Sequence, residues 1–341
     1  IWPLEDKLTD EDVYWGTLLA QAEMIRGGCV CSNDMYYFTD AIGRAVADSG
    51  ARALITRTVM GNGEDGLSRL RESEAAFQTW NGAENNRIQV ATAVHGEYTT
   101  GRSILSAAAE SSAKLGTKLH IHVSETFQEH EACKNRHNGM TPLAVLDTLG
   151  LIGPNSLLAH CVHVELQDIG TIAARGATVL HCPQSNLKLG SGVAPIPAML
   201  AAKINVALGT DGASSNNNLD MFEEMRLAAT LHKGMTLSPT VVTASQALSM
   251  ATYNGMKAMG WNSGVLAPGC LADLIMVDTY APHMLPRNNL LNHIVYSAGT
   301  GDVLMTMVDG VQLYEKNKWH VDVEVAKNIA RVIEIRGKLR M

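Results

Sequence analysis

The chain has 341 residues, 46% of them hydrophobic and 18% charged, which is enough apolar material for a sizeable core and too little charge for a disordered polymer. Its 27 Lys and Arg against 34 Asp and Glu give a net charge of −7, which disfavours a nucleic-acid partner, since a phosphate binder carries a basic face. No apolar run reaches the roughly 18 residues of a membrane-spanning helix, and the six cysteines include no CxxC pair, so the sequence argues against a membrane helix, a zinc ribbon and a thioredoxin-type site and favours free thiols in a reducing cytoplasm.

The chain opens on Ile1-Trp2-Pro3-Leu4-Glu5-Asp6, with no basic leader, and reads as the interior of a longer sequence whose N-terminus is missing. Residues 9–26 have helical period. Seven short apolar runs follow, at 29–36, 52–59, 87–95, 118–125, 156–163, 177–185 and 205–212. Amphipathic stretches at 103–115, 142–149, 166–174 and 195–203 lie between them. This alternation predicts an α/β fold, a parallel sheet covered by helices. A closed (β/α)8 barrel of the TIM type needs eight strands, and the helix at 9–26 stands where one following an earlier strand would sit. The expected fold is therefore such a barrel, with its first strand missing from this chain. An open doubly wound sheet is the other arrangement that periodicity allows. It would carry a Gly-rich phosphate loop after its first strand. Gly61-Asn62-Gly63 lacks the third glycine and reads as a turn.

Two long helices are predicted at 220–233 and 241–259. A turn at 263–269 leads to a strand at 272–277, a hairpin of 303–308 and 311–314 around Asp309-Gly310, and a final helix at 323–336. The boundary falls near residue 262, giving a barrel over 1–262 and a small C-terminal β-rich module over 263–341.

The predicted strands end in Asp34, Arg57, His95, His122 with Glu125, His160 with His163, His181, and Asp211. Catalytic residues of a barrel gather at that end. His120 and His122 share one face of their strand, and Glu125 follows three residues after His122, which suits a metal ligand beside a general acid/base. The plainer reading is a buried structural histidine and a helix-capping glutamate. His160 suits a ligand, a partner of a metal-bound water, or a satisfied core histidine. Asp211, in Gly209-Thr210-Asp211-Gly212, suits a carboxylate ligand or an Asx turn. Taken together, the three strand ends point to a metal-dependent hydrolase.

His122-x-x-Glu125, the run Ala159-His160-Cys161-Val162-His163, the SNLKLGSG run of residues 185–192 and the GTDGASSNN run of residues 209–217 resemble the amidohydrolase superfamily. The closest branch is that of methylthioadenosine/S-adenosylhomocysteine deaminases, with the related triazine-type chlorohydrolases. The resemblance spans essentially the whole chain. It implies one divalent metal, most often zinc, with iron or manganese as alternatives. It implies His122 and Asp211 as two metal ligands and an HxH pair, expected upstream of Ile1, as two more. Glu125, His160 and Asp211 would be catalytic: Glu125 shuttles protons, His160 orients the water and Asp211 takes a proton from it. Glu5 would bind the ribose hydroxyls, Arg57 and Arg69 would face the substrate's 5′ tail, and His95 would contact the substrate. His120-Ile121-His122 is an HxH by letter but stands in the fifth-strand position of the pattern, so His120 is not assigned. Val94-His95-Gly96-Glu97-Tyr98 departs from the pattern, which has a small residue and Pro after the His.

The implied activity is hydrolytic deamination of adenosine-type nucleosides such as S-adenosylhomocysteine, 5′-methylthioadenosine and adenosine. The partner would be that small molecule, with no nucleic acid and no membrane, and a homo-oligomer is allowed. A chlorohydrolase or another ring deaminase is the rival within the family. A metal-free barrel acting as a binding protein is the rival outside it. With His122 and Asp211 as its sole ligands, the chain as it stands is expected to be nearly inactive.

Overall fold

In the computed structural model, residues 2–321, 323 and 325–340 are described. Seven parallel strands form one sheet in sequence order: β1 (Cys31–Tyr36), β2 (Arg52–Val59), β3 (Ile88–Val94), β4 (Leu119–Val123), β5 (Ser156–His160), β6 (Thr178–His181) and β7 (Asn205–Leu208). Each strand pairs with the next along the chain, so every connection is a crossover, and helices fill those crossovers. Strands β1 and β7 are the two edges. This is the α/β architecture of the TIM-barrel type. Strands β2 to β7 bury apolar side chains between the covering layers, whereas the edge strand β1, Cys31-Ser32-Asn33-Asp34-Met35-Tyr36, is polar and only half-buried. Ile55, Val94, Ile121, Leu158, Val179 and Val206, from β2 to β7, are all fully buried. Truncating Ile55, Ile121 or Leu158 to Ala costs about 2–5 kcal/mol.

The first long helix, Asp10–Arg26, starts where Thr9 and Asp12 form a reciprocal capping box. Three expectations are corrected. The strand read over 177–185 stops at His181, because Pro183 has no N–H for the ladder and opens the helix Pro183–Lys188. Asn62 and Gly63 do not close a turn but begin the helix Gly63–Trp80. The helix read over 241–259 is two helices, Ala244–Ala251 and Tyr253–Met259. Thr252, at φ −129° and ψ −95°, breaks it and donates its hydroxyl to the Leu248 carbonyl. The Gly264 backbone packs onto the break so closely that a Cβ there would lie 2.7 Å from the Tyr253 Cα.

A second, antiparallel sheet has the order β11-β10-β9-β8, built from β8 (Leu274–Val277), β9 (Val303–Val308), β10 (Val311–Glu315) and β11 (Lys318–Trp319). Asp309 (φ 52°) and Gly310 (φ 78°) are both left-handed, as a type I′ hairpin turn requires. The two sheets are joined by a buried ion pair. Arg52, at the start of β2, donates through Nε and Nη2 to the two carboxylate oxygens of Asp273, each at 3.0 Å. Ser263 Oγ and the Asp309 N–H also donate to Asp273, and the guanidinium lies 5.5 Å from the Trp261 ring. The final helix runs over Val325–Arg340; Glu324, inside the predicted span, lies outside the described residues.

Candidate active site at the strand ends

Register sets the first residues side by side. Strand β4 pairs with β5 so that His122 lies opposite Ala159 and Val123 opposite His160. The His95 carbonyl, just past β3, accepts from His122 twice, from the backbone N–H at 3.2 Å and from Nδ1 at 2.6 Å. A carbonyl only accepts, so the ring proton sits on Nδ1 and the Nε2 lone pair is left for a metal. The His122 ring stacks on His160 with centroids 5.4 Å apart and planes 20° apart, and lies 5.1 Å from His95. Burial, then the neighbouring His160, pushes the His122 pKa below its ordinary value, while the Asp211 and Glu125 charges pull it up. The neutral ring that results is the form that ligates.

Glu125 follows β4. Its Oε2 is 3.8 Å from His160 Nε2, and its Oε1 accepts from Ser191 Oγ at 3.4 Å. Its position is fixed by Glu129, whose carboxylate accepts the N–H groups of Ser124 (2.9 Å), Glu125 (2.7 Å) and Thr126 (3.4 Å). Thr126 and Glu129 form the capping box of the helix Phe127–Arg136, so the cap that starts the helix also holds the acid/base loop.

His160 is 2% exposed, and its Nδ1 donates to Asn186 Oδ1 at 2.9 Å. Asp211 accepts from Ser185 Oγ at 2.6 Å and from the Gly212 N–H. Asn216 donates to both the Thr210 carbonyl and Glu224, which also accepts the Gln184 N–H. Burial pushes the Glu224 pKa up to about 7. The backbone turns sharply at each of these places. Ser124 (φ 49°), His160 (φ 70°), Cys161 (φ 49°) and Asp211 (φ 61°) are all left-handed without being glycine. Such residues are uncommon and gather at active sites.

The other predicted residues fall into two groups. His95 belongs to the cluster: its Nδ1 is 2.9 Å from Thr99 Oγ1, and burial with His122 and His160 pushes it down to about 4. His163 is turned to the Ser191 carbonyl at 2.7 Å, and His181 is paired with His232 at 3.2 Å. His120, left unassigned, is buried 5.8 Å from His122 by ring centroid. Glu5 accepts from the Tyr36 hydroxyl at 2.9 Å. Arg57 donates to Glu72 at 2.7 Å and lies 5.4 Å from the Tyr37 ring. Arg69 is paired with Asp65, one helical turn away, at 3.3 Å. Burial, then the Glu5 charge, raises the Tyr37 pKa, while the Arg69 and Arg57 charges lower it. Both arginines already hold a carboxylate of this chain.

Sequence reasoning did not assign Asn186, Ser185, Glu129 or Glu224. Glu129 carried a signal, Thr126-x-x-Glu129, the capping-box spacing. Glu224 carried none, since its partners Asn216 and Gln184, 8 and 40 residues away, follow no helical or strand spacing.

An imidazole with its distal nitrogen free and an anionic carboxylate are donors that suit zinc, iron or manganese, so the residues present fit the divalent metal of the expected site. Two surface clefts, of about 250 and 360 Å³, both include Lys118, ahead of β4, at the opposite end of the sheet from this cluster.

Residues 2–313 match the amidohydrolase family. The chain is 46% identical over 319 residues to a 5-methylthioadenosine/S-adenosylhomocysteine deaminase of Dictyoglomus thermophilum, covering 93% of this chain and 75% of the relative. It is also 46% identical over 312 residues to a 5′-deoxyadenosine deaminase of Methanosarcina mazei, covering 91% and 72%. Among solved structures, an adenosine deaminase from Xanthomonas campestris with bound zinc superposes with a TM-score of 0.95 at 32% identity, over 99% of this chain and 78% of that one. An atrazine chlorohydrolase from Arthrobacter aurescens, complexed with zinc, gives a TM-score of 0.88 at 22% identity over 96% and 78%, a likeness of fold alone. With its polar strand ends gathered at one end of a parallel sheet and this match over most of its length, the chain belongs to the amidohydrolase family.

Proposed function

We propose that the protein is a metal-dependent deaminase of adenosine-type nucleosides, replacing the C6 amino group by oxygen to give the inosine analogue and ammonia. The carrying observation is the His95–His122–His160–Glu125 array, in which one imidazole is committed through Nδ1 to a carbonyl and a carboxylate stands 3.8 Å from the next ring. The relatives at 46% identity, both named as deaminases of such nucleosides, support the substrate class.

His122 Nε2 and the Asp211 carboxylate would hold the metal. We favour zinc, which the solved adenosine deaminase carries. Bound there, the ion would supply a water acidic enough to ionise near neutral pH. The chain's own residues do the rest. Glu125 takes one proton from the water and passes it to the purine ring nitrogen, and the second water proton, taken up by Asp211, returns through Glu125 to the departing amine. His160, aimed by Asn186, holds the attacking water by a hydrogen bond, and Asp211 accepts a proton from it. Glu5 accepts from the ribose diol. Arg57 and Arg69 favour a tail bearing a carboxylate, which would exchange with Glu72 and Asp65, and His95 contacts the substrate.

S-adenosylhomocysteine, 5′-methylthioadenosine and adenosine should therefore be preferred to free adenine or a triazine. The test is ammonia release from a substrate panel. Glu5→Ala should depress kcat/KM for nucleosides much more than for free base, and Arg57→Ala or Arg69→Ala should hurt S-adenosylhomocysteine more than methylthioadenosine. Equal losses across the panel would mean structural roles. Faster chloride release from a chlorotriazine would favour the chlorohydrolase reading, and full-length protein that takes up no metal would favour a binding protein.

We also propose the division into 1–262 and 263–341, and a cytoplasmic setting that suits six free thiols. Among the described residues no helix is long and apolar enough to cross a membrane.

A further inference from the structure

A second set of ligand-bearing side chains stands apart from the strand-end array. One oxygen of Glu97, the Cys133 thiol and a ring nitrogen of His137 lie within 4.8 Å of one another. Glu97 opens the short turn Glu97–Thr99, two residues after His95. Cys133 is in the last turn of the helix Phe127–Arg136, and His137 caps it. The spacing of four brings those two side chains to one helix face. Glu97 is 8% exposed and Cys133 fully buried, while the His137 side chain is 29% exposed and open to entry from solvent.

The carboxylate is already divided between two tasks. Oε2 takes the Arg136 guanidinium, and Oε1 faces His137 Nε2 at 2.8 Å. The Cys133 thiol is pushed up to about 12 by burial and by the Glu97 charge beside it. A sulfur, an imidazole nitrogen and a carboxylate oxygen make a donor set suited to zinc. A guanidinium on the other carboxylate oxygen is the kind of outer contact that fixes a ligating carboxylate.

We propose that Glu97, Cys133 and His137 form a second divalent-cation site, selective for zinc, with Arg136 holding the carboxylate in place. On binding, the thiol proton leaves to solvent and the thiolate bonds to the ion. The His137 proton moves from Nε2 to Nδ1, freeing the Nε2 lone pair. Glu97 Oε1 exchanges its hydrogen bond for the metal, and water fills the fourth position. The thiolate and the carboxylate balance the two positive charges. The bound ion would join the helix that follows Glu125 to the turn that follows His95. This reading does not rest on the deaminase assignment.

Cobalt distinguishes this cluster from the strand-end site, whose ligands are nitrogen and oxygen alone. Titrating the metal-free full chain with Co²⁺ should give a thiolate-to-cobalt charge-transfer band that saturates once this cluster holds one ion. The band should vanish in Cys133→Ser and persist in Cys182→Ser, the cysteine whose thiol feels the Asp211 charge. Arg136→Gln should weaken zinc binding there about 10-fold, and His137→Gln by at least as much. His122→Ala should leave the band intact. No band, or a band that survives Cys133→Ser, overturns the proposal. If Cys133→Ser does not fold, His137→Gln decides: unchanged cobalt affinity overturns it, and a loss supports it.

Discussion

Asn186 Oδ1 accepts the Nδ1 proton of His160 at 2.9 Å, and so turns Nε2 toward Glu125 Oε2, 3.8 Å away. The two residues are 26 positions apart, on β5 and on the short helix that Pro183 opens after β6. Replacing Asn186 by Leu removes the acceptor and lets the imidazole turn or change tautomer. We expect kcat to fall about 10–100-fold with bound metal unchanged, measured by ammonia release and elemental analysis. Unchanged kcat would mean that His160 is oriented by its packing alone.

His122→Ala and Asp211→Ala should each sharply lower metal content in full-length protein. Glu125→Gln should keep the metal and lose about 10²–10⁴-fold in kcat, because it removes proton transfer while preserving shape. Elemental analysis beside a steady-state assay separates the two classes. Metal loss in Glu125→Gln would exchange the roles of ligand and acid/base.

Asp273→Ala should destabilise the fold by about 3–5 kcal/mol, because Arg52 would be left buried without its partner. Both side chains are almost fully buried, at 1% and 0% exposure. The shift is read from the denaturant midpoint at constant m. A change below 1 kcal/mol would mean that water or Asp309, 3.8 Å from the guanidinium, takes over the charge.

His181 and His232 face each other through Nε2 at 3.2 Å, a contact in which one ring must present an unprotonated nitrogen as acceptor. Burial, and then Lys233, pushes His232 from 6.5 down to about 4, and burial pushes His181 well below its ordinary value. Between pH 6.5 and 4 the unfolded chain therefore binds protons that the folded chain refuses. Stability from this pair is complete above pH 6.5 and drains away as the pH falls toward 4. In His232→Gln the pH slope of unfolding free energy across that window should shrink by about 1.4 kcal/mol per pH unit, the worth of one proton. Denaturant melts of both proteins between pH 4 and 7 provide the comparison, and an unaltered slope would refute it.

Strands β2 to β7 were legible because burial on both faces leaves a mark in every residue. Residues 52–59 were read to the position, and the Asp309-Gly310 hairpin was plain from its dipeptide. Helices were less legible where their boundaries depend on one residue. Thr252 splits a segment whose apolar period runs on unbroken, and Gly63 begins a helix where glycines suggest a turn. In the site, the residues that end strands could be picked out by type. Their supports could not. Ser185, Asn186 and Glu224 act through hydrogen bonds to partners 8 to 40 residues away, and hydrophobic periodicity carries no record of such pairs.

The left-handed backbone at Ser124, His160, Cys161 and Asp211 also limits how this scaffold can be redesigned. At those four positions a side chain must satisfy the backbone before it can do chemistry. Asn, Asp, His and Gly can settle there, whereas Val, Ile and Thr would strain the turn. A library that randomises all four would consist mostly of misfolded chains. Diversity belongs instead at Arg57, Arg69, His95 and Ser191, whose backbones are unstrained, so a new leaving group can be sought without unmaking the turns that aim Glu125 and Asp211.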